Sequence, residues 1–136
     1  MDDDLALAAT ARVARLATLD ADGRPHLVPI VFAIEGGTLY SAVDDKPKRR
    51  GRELRRLRNA RERPAATVLV DHYAEDWQEL WWVRIDGSAR VLDGGEEADT
   101  AIALLAAKYE QYARTPPHPP VLAVDIDRAS AWRASP

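Results

Sequence analysis

Ten lysines and arginines crowd the eighteen positions from Lys46 to Arg63, against only Glu53 and Glu62. The remaining positions carry nine basic and twenty acidic residues, so the net charge of −3 hides two opposed regions. Clustered cations at the mouth of a helix are suited to a phosphate or carboxylate, because the first N–H groups of a helix lack partners. Lys46, Lys48 and Arg49 stand where the loop would enter that helix. Arg52, Arg55 and Arg56 would follow on its first turns, where guanidinium groups can grip carboxylates bidentately. The plainer alternative is a solvated helix face that balances an acidic protein. Nucleic-acid binding is disfavoured: no aromatic residues interleave with the arginines, and the pI is about 5.6.

Other chemistry is sparse. His26, His72 and His118 are far apart and form no H-x₃-H or H-E-x-x-H pattern, so no metal site is expected. Cysteine is absent, which excludes disulfides and thiolate ligands. No G-x-S-x-G elbow and no Walker loop is present. His72 and Tyr73 stand at a strand end, where a proton donor is conceivable, but the pattern does not require one. Trp81 and Trp82 are adjacent, so a regular strand must turn them to opposite faces. One then suits the core and the other an interface or a ring-shaped ligand. Trp132 could cover a site or cap the sheet. Ser41 could donate to a phosphate from a strand end, or only satisfy a turn.

The elements that must position these groups follow from periodicity. Ala14–Leu19 and His26–Ile34 flank Asp20-Ala-Asp-Gly-Arg24, the pattern of a β-hairpin with Gly23 at positive φ. Pro29 removes a ladder donor from the second strand, so it belongs at an edge or an interruption. Backbone exposed there would let a flat ligand lie against it; an ordinary edge strand is the alternative. Thr38–Val43 predicts a third strand, Ala65–Asp71 a central fourth, Leu80–Leu92 a fifth with a bulge at Asp86-Gly87, and Val121–Ile126 a sixth. Ala131–Arg133 would extend the sheet or close over a site. Asp2–Asp4 would cap a short helix, Arg52–Arg63 forms a basic helix with Leu54 and Leu57 on its apolar stripe, and Glu96–Tyr112 forms the longest one.

The expected architecture is mainly β with α: one domain over 1–136, a six- to seven-stranded antiparallel barrel with helices packed outside it. No window approaches the roughly 18 apolar residues of a membrane span, and the acidic Met1-Asp-Asp-Asp-Leu5 has no secretory pattern. A cytoplasmic protein that meets neither membrane nor nucleic acid is expected.

The stretches ARLATLDADGRPHLVPIVFAI, TLYSAVDDKPKR and RPAATVLVD together resemble the split β-barrel flavin and deazaflavin oxidoreductases, relatives of pyridoxamine 5′-phosphate oxidase. The stretch VDHYAEDWQELWWVRIDGSARVL is similar to an actinobacterial, F420-dependent branch of that class. The resemblance implies a homodimer with two cofactor sites at the subunit interface. It implies a ring lying against Val28, Pro29 and Ile30, and a phosphate near Ser41, Lys46, Lys48 and Arg49. Arg52 and Arg56 would meet the acidic tail of F420, and Trp82 and Trp132 would cover the site. Reduced F420 would pass a hydride to an unidentified unsaturated or conjugated acceptor. An FMN-dependent oxidase or reductase is the nearest alternative; a non-catalytic carrier of a flavin, deazaflavin or haem is the other.

Overall fold

The computed structural model describes residues 2–43 and 53–135. Lys46, Lys48, Arg49 and Arg52 lie outside them, so the expected entrance to the basic helix has no structural account here. The described chain runs α1 (Asp3–Ala9), β1 (Ala14–Leu19), β2 (Pro25–Ile30), β3 (Ala33–Glu35), β4 (Thr38–Ala42), α2 (Arg55–Glu62), β5 (Ala65–His72), a 3-10 turn (Trp77–Glu79), β6 (Trp81–Leu92), α3 (Glu96–Lys108), α4 (Glu110–Arg114) and β7 (Val121–Arg133). The strands form one antiparallel sheet in the order β2-β1-β5-β6-β7-β4-β3. Side chains from both halves of that order, including Leu16, Val68, Ile85, Leu122, Val124 and Leu39, meet in one buried cluster. The sheet therefore curls around a single core. α1 and α2 pack into the same cluster through Leu5, Ala8, Leu57 and Ala60. α3 covers a second apolar surface, made by Tyr40, Val121 and Ala123.

The opening hairpin forms as its sequence predicts. Asp20 Oδ1 accepts from the N–H groups of Asp22 and Arg24, both at 2.9 Å, and Gly23 takes φ 78°. Its second strand differs from expectation. The chain does not continue extended to Ile34; it breaks at Val31-Phe32, and β2 and β3 end up as the two opposite edges of the sheet. The cause is a competing partner for the backbone. The Tyr109 hydroxyl accepts from the Phe32 N–H at 3.0 Å, and it lies 3.0 Å from the Phe32 carbonyl and 2.9 Å from that of Arg12, to one of which it donates. The Phe32 side chain is fully buried at this corner. The same residue interrupts the long helix expected over Glu96–Tyr112. Tyr109 sits at φ −112°, ψ 121°, and the helix resumes as α4 only beyond it.

Ala131–Arg133 extends the sheet as the end of β7. The bulge expected at Asp86-Gly87 is present, with Asp127 of β7 as the extra residue: Asp86 pairs with Arg128 and Gly87 with Ile126. α2 starts at Arg55 rather than Arg52 and is tied to β1 by a buried bond from Asn59 Nδ2 to Thr18 Oγ1, 3.0 Å. α3 is anchored by Arg90, which donates to Glu97 at 2.9 and 2.8 Å and to Asp125 at 2.6 and 2.9 Å. Tyr40 donates to Glu97 at 2.8 Å. Arg90, and then the Tyr40 hydroxyl, hold the Glu97 carboxyl down at about 2.

Lys108 gives this corner a pH dependence. Its Nζ is buried, has no hydrogen-bond partner among the described residues, and rests 3.9 Å from the centre of the Phe32 ring. Phe32 favours the ammonium, but burial and then the nearby Arg12 cation outweigh it and push the amine down to about 8 from 10.5. The unfolded chain then binds a proton that the folded chain has released between those two values, so stability rises with pH across that window. Below it the penalty is complete. Lys108→Met should therefore stabilise the protein at neutral pH. The gain, followed by urea unfolding, should shrink as the pH approaches about 10. An equal gain at every pH would mean that the amine is not destabilised in the fold.

Candidate functional site: a free strand edge and an uncovered sheet face

Two surfaces of the sheet carry the residues of interest. The first is the free edge of β2. This strand pairs with β1 on one side only, and Pro29, opposite Arg15, offers no donor along the other. Its side chains alternate: Val28 and Ile30 turn toward the core, whereas Pro29 is exposed on the outer face. A ring cannot lie on all three side chains; it can lie along the backbone edge that they share.

One end of this edge is cationic. Burial, followed by the Arg55 and Arg56 cations on α2, holds His26 below its ordinary value. The Nδ1 of His26 is buried and has no hydrogen-bond partner among the described residues. Such atoms are uncommon and call for a partner. No sequence pattern marks His26 as a site residue, because its meaning depends on α2 packing against β1, whose Thr18 pairs with His26. Arg56 is half-buried in that helix.

The second surface is the outer face of β1, β5, β6 and the end of β7. β5 reads as an apolar run, but only Ala66, Val68 and Val70 are buried; Leu69 stays 38% exposed. No helix covers this side of it among the described residues. Thr67, Leu69, Asp71, Tyr73, Trp82 and Arg84 line a groove of about 670 Å³. At Thr67 it joins a second recess of about 410 Å³ that reaches Gly87 and Asp127. Volumes of this order suit a small molecule or the side chains of a partner. Trp81 packs against the core and stacks on His72, so the two neighbouring tryptophans do face opposite ways. Trp82 lies in the groove with the Arg84 guanidinium 5.8 Å from its ring centre, and Trp132 is its partner across the ladder, 45% exposed. Asp86 is held below its ordinary value by the Thr67 hydroxyl and then by Arg128.

Ser41 does not reach either surface. It is 3% exposed in β4, between Tyr40 and Ala42, which contact the helix-covered side. The expected site residues are thus spread over the β2 edge (Val28, Pro29, Ile30), the start of α2 (Arg56), the outer face (Trp82, Trp132) and the interior (Ser41). Among the described residues no group of three or more His, Asp or Glu is placed to hold a metal ion. No described helix is long and apolar enough to cross a membrane.

The sequence profile of the pyridoxamine 5′-phosphate oxidase family matches residues 3–133, nearly the whole chain. The chain belongs to that family. No curated protein matches it closely enough to add to that assignment. Solved structures share the family fold at low identity. A FAD-binding protein from Mesorhizobium loti is 20% identical, with 95% of this chain and 91% of that one covered and a TM-score of 0.70. A haem-binding protein from Mycobacterium smegmatis is 19% identical, covered over 96% of this chain and 56% of its own, with a TM-score of 0.72. A putative pyridoxamine 5′-phosphate oxidase from Listeria innocua is 19% identical, covered over 93% of each, with a TM-score of 0.67. Family membership accounts for the curled seven-stranded sheet.

Proposed function

We propose that this chain is an F420-dependent oxidoreductase that works as a homodimer with a cofactor at each shared site. The observation that carries the reading is the β2 edge, apolar along Val28–Ile30 and cationic where the charges of Arg55 and Arg56 act on His26. A long ligand with a flat ring and an anionic end matches that polarity. The orphaned Nδ1 of His26 adds a partner for an anionic oxygen. Lys46, Lys48 and Arg49 would extend the cationic end toward the phosphate, with Arg52 and Arg56 toward an acidic tail. Ser41 would have to be reached from inside the sheet. Trp82 and Trp132 of the outer face would meet the second copy, closing the groove to water.

The bound deazaflavin supplies hydride transfer to an unsaturated small-molecule acceptor. The chain's own residues hold the ring at the edge, orient it and exclude water. FMN in the same place is the second reading, favoured by the FAD-binding relative; a carrier without turnover is favoured by the haem-binding one. Titration of the protein with F420 and FMN side by side separates these readings. The Lys48→Ala, Arg49→Ala double variant and His26→Ala should each weaken the preferred cofactor by tenfold or more, about 1.4 kcal/mol. Affinity unchanged in both would remove the anionic end from this corner. Binding with no turnover of any acceptor would leave the carrier.

A further inference from the structure

Among the described residues no element covers the outward ridge of α2. Leu57, Asn59 and Ala60 turn inward, which leaves Arg55 and Arg58 exposed three residues apart on one side. Among the described residues Arg58 meets only its own helix neighbour Glu62, at 3.5 Å with both side chains well exposed, a contact worth little. Arg55 has no hydrogen bond or ion pair among the described residues. The loop between β5 and β6 is the reverse case. Glu75 and Glu79 are exposed without an ion pair among the described residues, and Trp77 between them is 75% exposed. Tyr73 beside them is 68% exposed. Carboxylates flanking an open indole form a receptor for guanidinium groups, through bidentate pairing and cation–π contact.

One chain cannot join the two. α2 ends just before β5 begins, whereas the loop follows the far end of that eight-residue strand, roughly 26 Å away. Two copies related by a two-fold axis can, because each then offers its loop to the other's helix.

We propose that the α2 ridge of Arg55 and Arg58 docks the Tyr73–Glu79 loop of a second copy of this chain, twice per dimer. This rests on the two-copy reading above and names the surfaces by which the copies lock. An acidic cofactor tail lying on the same ridge is the competing occupant.

Sedimentation of the purified protein tests the proposal. Wild-type protein should form a dimer that weakens between about 0.1 M and 1 M salt, as screening shortens from about 10 Å to about 3 Å. Arg58→Glu alone and Glu79→Arg alone should each raise the dimer dissociation constant tenfold or more. The two together should restore it, because the ion pair is rebuilt with reversed polarity. Should either reversed variant not fold by circular dichroism, Arg58→Gln and Glu79→Gln probe the same contact with a smaller rise. Single variants that dimerise as wild type does, or a double variant as weak as the singles, would overturn the clasp and leave the two-copy reading standing. A wild-type monomer at every concentration would overturn both. If Arg58→Glu weakened cofactor binding but not dimerisation, the ridge would belong to the cofactor tail.

Discussion

Replacing Gly87 by alanine is expected to lower stability by about 3 kcal/mol, a fall of about 10 °C in melting temperature for a chain of this length. A Cβ at this position would run into the backbone carbonyl of Asp125 and crowd the Val124 side chain. A carbonyl in a paired strand cannot swing aside as a flexible side chain can. The displacement would also pass to the Asp125 carboxylate, which holds Arg90, and through Arg90 to Glu97 on α3. Gly37→Ala is the control. A Cβ there meets nothing within 4 Å, and the expected change is within about 0.5 kcal/mol. Equal melting temperatures for the two variants would show that β7 can retreat from β6 at the bulge without cost.

Tyr109→Phe should cost about 2–3 kcal/mol, although it removes one atom. The ring can stay where it is, beside Arg12 and Lys108. What disappears is the single hydroxyl that serves the Phe32 N–H and a carbonyl of Phe32 or Arg12. A buried backbone donor without a partner is expensive, and among the described residues the Phe32 N–H has no other acceptor. Faster amide exchange at Phe32 should accompany the loss of stability, with little change at Val68 or Ile85 in the middle of the sheet. Exchange as slow as in the wild type would mean that the corner is held by Phe32 packing alone. On the proposed function, the same variant should also bind F420 or FMN more weakly in the side-by-side titration.

The contrast between Tyr109 and Gly23 shows how far this sequence could be read. Gly23 sits in a turn whose partners are at most four residues away, so the hairpin was legible from Asp20 to Arg24 alone. Trp81 and Trp82 were legible for the same local reason: strand alternation leaves no choice. Tyr109 acts 77 residues from Phe32, and neither residue's neighbours announce the contact. Two of the differing boundaries, the end of β2 short of Ile34 and the end of α3 short of Tyr112, fall at the residues that this one contact joins. The site shows the same limit. Alternation already separates Val28 and Ile30 from Pro29, but which of the two faces is buried depends on where the rest of the sheet lies. His26 gained its meaning only from arginines some thirty positions later. Ser41 looked like a strand-end donor because its burial depends on β7 lying beside β4.

The break at Phe32 joins the two rims of the sheet by a link of two residues, Val31 and Phe32. Force applied at one rim is delivered directly to the other, without crossing the five strands between them. A ligand that straightens β2 would tug on β3 and so on its hairpin with β4, where Tyr40 reaches α3. Labels on Glu35 and Leu27 should therefore respond together when β2 is engaged.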